Sequence, residues 1–448
     1  MKRLLLVACV VALVLGIVAE TAVAQPWTKQ TTPTTQRIRG FKPLNSQVVW
    51  ASGNAGAVLR TLNGGTTWEL KPAPDATYDN YCIEAIDSLT AWIYGTISGG
   101  TQGASKIWKT TDGGKTWVEQ YNNADTFADG IIFFDANNGV AWSDPTLARK
   151  SIFVMLTTTN GGTTWVSVPA ANIPPVDSLA DEVSVSNACD VIGNTVWFTT
   201  YCQGSGYLQP RIFKSTDRGY TWTASPLLAT YEGYGFSMRD ANTGIVSNTS
   251  FGSICRTTNG WATSDTVLVL SGTYGLRAVD WLAGGNAIAI VGGPTGTGIS
   301  AISLDAGTTW TQQTVPAGVG RLYAVRFLDP TTGWAAGNGG AILKWTGSPL
   351  VGVEENTPIL PDGYSLSQNY PNPFNPGTTI EYAIPREASV QLKVYDMLGR
   401  EMATLVDEQK PAGSYSVRFD AHKLASGVYY YTLRAGSFVS TKSLILMK

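Results

Sequence analysis

The sequence contains a single histidine, His422, and charged residues make up only 14 % of it. A histidine-based catalytic triad or a histidine-rich metal site is therefore excluded from the chain before that residue. The formal net charge of -2 shows neither the basic excess typical of nucleic-acid binding nor the acidic excess typical of disorder. The sequence also lacks phosphate-loop and nucleophile-elbow motifs. We therefore expect no nucleic-acid partner, no metal site and no cofactor.

Cysteine is scarce as well. Cys82, Cys189, Cys202 and Cys255 follow the N-terminal segment and include no Cys-x-x-Cys pair, which argues against a zinc site. In an exported protein, four cysteines allow two disulfides in three connectivities. Cys189 and Cys202 flank one strand-like stretch, so a disulfide between these two is one interpretation. Buried free thiols are the other.

The sequence has one long hydrophobic run, at its N-terminus. Lys2 and Arg3 precede an apolar core at residues 4–18, and an Ala-Val-Ala cleavage motif ends at Ala24. This pattern is typical of a secretory signal peptide over residues 1–24. The apolar run is short for a membrane-spanning helix, so we expect no membrane-spanning segment in the mature chain.

Glycine and aromatic residues are abundant, with 48 Gly, 15 Trp and 19 Tyr among 448 residues. This composition is typical of many short strands joined by tight turns. The length accommodates more than one domain. Together, these features predict an all-β protein.

An eight-residue motif recurs along the chain. Good copies read TLNGGTTW, TTDGGKTW, TTNGGTTW, STDRGYTW and SLDAGTTW, and a degenerate copy, TTNGWATS, begins at Thr257. The good copies end 49, 48, 57 and 88 residues apart, and the last interval spans two periods with the degenerate copy between. A period of roughly 40–50 residues is the size of one four-stranded propeller blade. The good copies end at Trp68, Trp117, Trp165, Trp222 and Trp310.

The motif resembles the Asp-box of sialidase-type (BNR) and photosystem II assembly-factor-like propellers. Its residue types fit a hairpin in which an Asp or Asn side chain caps the turn, glycine supplies a positive φ and tryptophan packs between blades. In the families it resembles, the box lies on the outer edge of the propeller, so we assign it a structural rather than a catalytic role. The capping positions here are Asn63, Asp112, Asn160, Asp217, Asn259 and Asp305.

A second repeated element, strand-turn-strand, precedes each box and predicts seven blades. Its last copy has no box after it, but the N-terminal stretch PWTKQ matches the outer-strand stretch TWTQQ of the preceding repeat. We therefore expect a seven-bladed β-propeller at residues 25–346, closed by its N-terminal strand. The seven elements begin at Ile38, Cys82, Ile131, Val183, Gly235, Ala278 and Ala324.

The composition changes after the predicted propeller. Residues 347–362 are Pro-rich and unpatterned, which is typical of a linker. Apolar residues then alternate along several stretches, including Val390, Leu392 and Val394. This alternation, seen also at Val428, Tyr430 and Thr432, predicts a small Ig-like β-sandwich at residues 363–448.

This module resembles a type IX secretion type A sorting domain. The resemblance rests on NYPNPFNP at 369–376, on Tyr395-Asp396 with Gly399, and on SGVY at 426–429. A flagellar hook-capping Ig-like domain shares the sandwich, but the signal peptide and the terminal position favour sorting. The resemblance implies Sec export, a partnership with the type IX secretion machinery through residues 363–448, and an extracellular or outer-membrane-surface location.

The channel face of a propeller is its usual binding surface. Aligning the residues that precede each inner strand predicts a ring of aromatic, arginine and carboxylate side chains, which suits a glycan, peptide or protein partner. We therefore expect a binding or scaffold protein, with a solvated polar rim as the alternative interpretation. The predicted ring consists of Arg39, Tyr81, Asp129, Asp181, Tyr234, Arg277, Arg321 and Tyr323.

A secreted glycoside hydrolase, sialidase-like or otherwise polysaccharide-cleaving, is the alternative function. A sialidase resemblance implies an arginine triad, but no arginine in a Phe-Arg-Ile-Pro-type motif can be placed near the first blade, and seven blades are predicted rather than six. A hydrolase using Asp129 and Asp181 needs carboxyls roughly 5–9.5 Å apart. We assign no catalytic residue and favour binding over catalysis.

Overall fold

The computed structural model describes residues 26–97, 103–146, 148–177, 181–202, 209–228, 230, 233–248, 252–270, 275–351 and 363–447. The predicted signal peptide lies outside the described residues, as does most of the predicted linker. The chain divides into two compact units, Met1–Val353 and Glu354–Lys448.

Within the described residues, the first unit forms seven four-stranded antiparallel sheets, each a propeller blade. Strand β1 (Trp27–Gln30) pairs into the last blade. Blades 1 to 3 consist of β2 (Ile38–Pro43), β3 (Val49–Gly53), β4 (Val58–Thr61) and β5 (Glu69–Leu70); β6 (Tyr78–Ala85), β7 (Ala91–Ile97), β8 (Gly103–Thr110) and β9 (Val118–Thr126); and β10 (Ala128–Phe133), β11 (Gly139–Ser143), β12 (Val154–Thr158) and β13 (Val166–Ser167).

The remaining blades follow the same order, with the first strand of each facing the channel. Two short 3-10 helices, Ala170–Asn172 and Asn338–Gly340, lie between strands. Blades 4 to 7 consist of β14 (Glu182–Ile192), β15 (Thr195–Cys202), β16 (Ile212–Ser215) and β17 (Thr223–Ala224); β18 (Phe236–Met238), β19 (Gly244–Ser247), β20 (Ser253–Thr257) and β21 (Asp265–Leu268); β22 (Leu276–Trp281), β23 (Ile288–Gly292), β24 (Ile299–Ser303) and β25 (Thr311–Gln313); and β26 (Leu322–Asp329), β27 (Thr332–Gly337) and β28 (Ile342–Trp345) with β1.

The ring is closed by its first strand. β1 pairs antiparallel with β28, which places Trp27 opposite Trp345. Trp27 is fully buried, and its ring centroid lies 5.1 Å from that of Trp345. Its indole N–H donates to the Ser300 hydroxyl of blade 6 at 3.0 Å. The predicted seven-bladed propeller, closed by the N-terminal strand, is confirmed.

Tryptophans fill the seams between blades. Trp50 on β3 is fully buried, and its ring centroid lies 6.5 Å from that of Trp117, which ends the box of blade 2. Trp142 on β11 has the same relation to Trp222, which ends the box of blade 4, again at 6.5 Å. Because such rings bury a large apolar area and pack edge to face, each seam is an aromatic core shared by two neighbouring blades.

The predicted disulfide between Cys189 and Cys202 is wrong. On the β14–β15 ladder, Cys189 lies opposite Phe198, whereas Cys202 lies opposite Glu182. The two cysteines are thus separated by four residues along the hairpin, roughly 13 Å at the rise of a strand. A disulfide needs Cα atoms within about 7 Å. Both thiols are free, and burial raises the pKa of Cys189 to about 12 and that of Cys202 to about 11, which keeps them unreactive.

The second unit is a sandwich of two sheets. One sheet has the order β29-β30-β33 and the other β32-β31-β34-β35. Val390, Leu392 and Val394 face the core between the sheets, as their alternation predicts. The strands are β29 (Ser365–Leu366), β30 (Gly377–Ile384), β31 (Ala388–Tyr395), β32 (Glu401–Lys410), β33 (Gly413–Asp420), β34 (Gly427–Ala435) and β35 (Phe438–Leu446).

The alternation along β34 has the opposite phase to the one used in the sequence. Tyr429, Tyr431 and Leu433 are buried, whereas Val428 and Tyr430 are exposed. Both sets are apolar enough to mark a strand, so the pattern predicts the element but not which face enters the core.

The Asn-Pro-Phe-Asn-Pro segment lies along the last strand. The backbone N–H of Phe374 donates to the carbonyl of Ile445, and that of Met447 donates to the carbonyl of Phe374, both at 3.0 Å. The Asn372 side chain accepts from the N–H of Ile445 at 2.8 Å. The motif therefore covers part of an otherwise free sheet edge.

Candidate functional site

The predicted box residues lie in outer turns, where each side chain caps its own hairpin. The Asp112 carboxylate accepts from the backbone N–H groups of Lys115 and Thr116 at 2.9 and 3.0 Å, and from the Thr116 hydroxyl at 2.6 Å. These hydrogen bonds hold the pKa of Asp112 well below its usual range. Asp217 and Asp305 make the same bonds to Thr221 and Thr309.

Asparagine fulfils the same role in the other boxes. The Asn63 carbonyl oxygen accepts from the N–H of Thr67 at 2.9 Å, and its amide donates to the Thr67 hydroxyl at 2.9 Å. Gly64 and Gly65 supply the left-handed conformations of the turn, with φ of 66° and 86°. Asn160 makes the same two bonds to Thr164.

The degenerate box keeps the turn but moves its tryptophan. Asn259 accepts from the N–H of Thr263 at 3.0 Å, as in the other boxes. Ser264 occupies the usual tryptophan position, and Trp261 occupies the second glycine position with φ of 71°. Trp261 is buried, 5.8 Å from the ring of Phe236. The seam thus receives its aromatic ring from three residues earlier in the motif.

A β-bulge at the same place in several innermost strands aims side chains at the channel. In each case one residue is left without a cross-strand partner, and the neighbouring residues keep the ladder. A bulge bends its strand and redirects the extra side chain. Because the bulge recurs at the equivalent position of these strands, aligning the repeats identifies the redirected residues. The bulged positions are Arg39, Tyr81, Asp129, Arg277 and Tyr323.

Six of the eight predicted ring residues line one cavity of about 360 Å³, which we call the mouth cavity. Among them, Tyr234 in blade 5 is not at a bulge: it precedes the first residue of β18 that pairs with β19, Phe236. Asp181 and Arg321 are not among the lining residues: Asp181 is exposed, and Arg321 donates from Nε to the Gly293 carbonyl at 2.6 Å. The cavity is lined by Arg39, Tyr81, Phe127, Asp129, Asp144, Val183, Ser184, Val185, Ser186, Asn187, Tyr201, Tyr234, Arg277 and Tyr323.

Two arginines of the mouth cavity lie against aromatic rings. The guanidinium carbon of Arg39 is 4.4 Å from the ring centroid of Tyr81, and that of Arg277 is 4.1 Å from the ring centroid of Tyr234. Arg39 donates from Nε to the Asn54 side chain at 2.8 Å. Within the described part of the chain, neither arginine forms a salt bridge, and the buried Nε of Arg277 has no hydrogen-bond partner.

A buried pair of carboxyl groups lies at the floor of this cavity. Asp129 accepts from the hydroxyls of Ser184 and Ser186 at 2.6 and 3.1 Å, and Asp144 accepts from the backbone N–H of Ser184 at 2.9 Å. Because Ser184 donates to both, the two carboxyls are close neighbours. Burial raises the pKa of Asp129 well above its usual range and that of Asp144 to about 7. The pair therefore carries less negative charge near neutral pH than two exposed aspartates would.

A four-residue bulge of β14, residues 185–188, enters the channel below the mouth cavity. It stands opposite the single residue Thr199 on β15. At its tip, Asn187 has a left-handed φ of 61°, and its amide donates to the Tyr81 carbonyl at 2.6 Å and the Arg39 carbonyl at 3.4 Å. Asparagine tolerates this conformation better than most residues. We call residues 185–188 the plug.

A second cavity of about 220 Å³, the inner cavity, is lined by Asn187 of the plug and by two ion pairs whose carboxylates are buried. Lys42 and Glu84 are 2.6 Å apart, and Arg326 and Asp280 are 3.0 Å apart. Sequence reasoning missed this layer, although it had a signal. Each of these four residues follows the bulged position of its strand by three.

Comparisons with known proteins agree with this architecture. Residues 368–447 match the family model described as Secretion system C-terminal sorting domain. Two YCF48 structures are similar: that from Cyanidioschyzon merolae (20 % identity, TM-score 0.53, covering 71 % of this chain and 98 % of that one) and YCF48 bound to D1 peptide (18 %, 0.53, 71 % and 96 %). No curated protein sequence matches the chain.

A structure of PorZ is also similar, at 14 % identity and a TM-score of 0.50, covering 92 % of this chain and 59 % of that one. PorZ is an essential bacterial surface component of the type-IX secretion system of Porphyromonas gingivalis. At these identities the likenesses establish the fold alone.

The C-terminal unit is thus a type IX secretion sorting domain, and the chain is a secreted or cell-surface protein with a YCF48-like propeller fold. The predicted location is confirmed. Among the residues that the structure describes, no helix is long and apolar enough to cross a bilayer.

Proposed function

We propose that this propeller is an extracellular binding module that holds a carboxylate-bearing segment of a glycan or peptide in the mouth cavity. The observation that carries the proposal is the pair of arginines, Arg39 and Arg277, which line the same cavity, lie against tyrosine rings and form no salt bridge among the described residues.

An anion is the ligand that this environment lacks. A guanidinium ion that is partly desolvated and unpaired gains most from a charge-assisted bond to a carboxylate, and its planar fork favours such a group. Burial lowers the pKa of Arg39, which reflects the cost of holding that charge away from water. A bound carboxylate would offset this cost.

The walls suit a ligand with flat apolar faces. Tyr81, Phe127, Tyr201, Tyr234 and Tyr323 line the cavity with the arginines. Aromatic rings offer apolar faces together with a polar edge, and the cavity volume lies within the usual range of small-ligand sites. The similar YCF48 structure that is bound to D1 peptide supports a peptide segment as one form of ligand for this fold.

Binding by the full mature chain to paired acidic and neutral glycans and peptides tests the proposal. Acidic members should bind, and Arg277→Ala should weaken them at least tenfold, about 1.4 kcal/mol. Arg321→Ala, on the same rim but outside the cavity lining, is the control and should bind like the unchanged protein. Equal binding of neutral and acidic members, or no binding at all, would contradict the proposal. Turnover of a fluorogenic glycoside, lost in Asp129→Asn, would favour the hydrolase alternative instead.

A further inference from the structure

The seam between blades 4 and 5 differs from those built by the good copies of the motif. Ser264 occupies the usual tryptophan position, and the tryptophan of this copy, Trp261, comes three residues earlier. The Trp261 ring lies 5.8 Å from that of Phe236, and its indole nitrogen lies 3.3 Å from the sulfur of Met238. Both of these partners belong to β18, the innermost strand of blade 5. Trp261 therefore fills the inner part of the seam.

A tryptophan at the usual position also contacts the outer strand of the preceding blade. The Trp68 ring lies 6.4 Å from that of Phe41 on the inner strand of its own blade, and its indole N–H donates to the Gln30 side chain of β1 at 3.0 Å. In the seam between blades 4 and 5, a cavity of about 260 Å³ lies beside the outer strand of blade 4 instead. It is bounded by residues 223–226, in and just after β17, and by residues 260–262 of the motif. We call it the seam cavity.

Lys214 lines the seam cavity, and within the described part of the chain its ammonium group has no hydrogen-bond or salt-bridge partner. Lys214 pairs across the sheet with a seam tryptophan of the second strand, as Lys109 and Lys344 do in their own blades. Lys109 donates to the Gly161 carbonyl in the motif turn of the next blade at 2.9 Å. Lys344 donates to the Gly64 carbonyl in the same way at 3.0 Å. Lys214 lacks this acceptor, so its cation remains available to a ligand of the seam cavity.

The lining of the seam cavity suits an anionic group attached to a flat ring. None of the described residues that line it is acidic, so the Lys214 ammonium gains most from a carboxylate that enters from outside. Trp197 and Trp261 are buried and supply aromatic walls, and aromatic rings pack favourably against one another. Other seams hold an aromatic side chain in such surroundings, as Trp117 does beside Trp50. An aromatic residue of another chain is therefore the occupant that the propeller's own seams favour.

We propose that the seam cavity is a second binding site, on the outer edge of the propeller, for an aromatic side chain of a partner peptide that has a carboxylate beside it. The ring enters the outer part of the seam, next to β17, and the carboxylate pairs with Lys214. No residue lines both the seam cavity and the mouth cavity, so this site does not depend on the function proposed above.

Saturation-transfer NMR with indole-3-acetate, which carries both a ring and a carboxylate, tests the proposal. The sample is the full mature chain with Arg277→Ala, because this substitution removes one of the two mouth arginines and lies outside the seam cavity. We expect a dissociation constant of about 1 mM, the usual range for a ligand of this size. Indole-3-acetamide, which is neutral and has nearly the same shape, should bind at least about fivefold more weakly.

Three further substitutions place the probe in the seam cavity. Lys214→Met should remove the preference for the acetate, because it deletes the cation and keeps an apolar stem over the ring of Trp197. Lys109→Met, at the same position of blade 2, is the matched control and should keep the preference. Ser264→Trp restores the usual residue of the motif and should abolish binding of both probes by filling the cavity. If Ser264→Trp does not fold, the comparison of Lys214→Met with Lys109→Met still decides the question.

Three results would overturn the proposal: no binding of indole-3-acetate below about 10 mM, equal affinity for the two probes, or an unchanged preference in Lys214→Met. Loss of the preference in Lys109→Met would also overturn it, because the probe would then lie elsewhere on the propeller. Binding of glucuronate as tight as that of indole-3-acetate would contradict the aromatic assignment, since a sugar carboxylate has no aromatic ring. None of these results depends on whether the mouth cavity binds a ligand, so the two proposals can fail separately.

Discussion

The outer turns and the inner strand ends of the propeller both carry one set of polar side chains per blade, but they use them differently. In an outer turn, Asp112 bonds to residues three and four positions later, and the next box repeats the pattern. At the inner ends, the equivalent positions hold Arg39, Tyr81, Asp129 and Arg277, and their contacts cross from blade to blade. Residues that repeat from blade to blade, as in the outer turns, stabilise their own turn. Residues that differ between blades at equivalent positions, as at the inner strand ends, line one cavity together.

The largest expected effect comes from removing β1, an outer strand whose pairing partner β28 is distant in the sequence. Deleting residues 25–33 takes away β1, the buried Trp27 and a whole edge of blade 7. Loss of such a ring alone costs about 3–5 kcal/mol, so we expect a lower melting temperature for the whole propeller by calorimetry. An unchanged melting temperature would show that ring closure contributes little.

The relocated tryptophan comes next in size. Trp261→Ala should destabilise the propeller by about 3–5 kcal/mol, because it empties the seam next to Phe236. Ser264→Ala, at the usual tryptophan position, should cost much less, because it removes one hydroxyl and no aromatic ring. Denaturant unfolding measures both, and equal effects would mean that Trp261 does not replace the missing ring.

A pair of small substitutions separates the two regions directly. Arg277→Ala should weaken binding of an acidic ligand at least tenfold, about 1.4 kcal/mol, with little change in unfolding. Asn63→Ala should do the reverse, costing about 1 kcal/mol of stability through lost turn hydrogen bonds and leaving binding unchanged. Titration calorimetry measures binding, and thermal unfolding of the same samples measures stability. Loss of binding in Asn63→Ala, or loss of stability in Arg277→Ala, would contradict the distinction between the two regions.

The smallest expected effect is the change of stability with pH, which has opposite signs in the two regions. Hydrogen bonds in the turns lower the pKa of Asp217 and Asp305, so their contribution is present above the unfolded pKa and is lost as pH falls. The inner pair loses its contribution as pH rises. Melting curves should show a weaker acid decline in Asp217→Asn/Asp305→Asn and a weaker alkaline decline in Asp129→Asn.

The sequence predicts the repeated features well because each repeat tests the others. Aligning the repeats with one another is enough to predict the number of blades and the closing strand. The same alignment finds six residues that line the mouth cavity, such as Tyr234 and Arg277. Asp144 was missed because it follows a second strand and meets Asp129 only through the register of the hairpin. The plug was missed for a similar reason: a four-residue bulge within β14 looks, in sequence, like a longer strand.

The errors have physical causes as well. Spacing along the chain suggests the disulfide, but residues that flank a stretch of hairpin meet only if the turn is centred between them. The turn of β14–β15 lies between Ile192 and Thr195, far closer to Cys189 than to Cys202. The box that holds Trp261 looks degenerate in sequence because a tryptophan with positive φ is rare, although the buried seam provides enough apolar contact to offset the strain.

The pairing of β1 with β28 also sets the order in which the propeller can assemble. The hydroxyls of Thr28 and Thr346 contact each other across 318 positions of chain, so β1 is synthesised long before the strand with which it pairs. Closing so long a loop is entropically slow. The ring can therefore close only after its seventh blade has been synthesised.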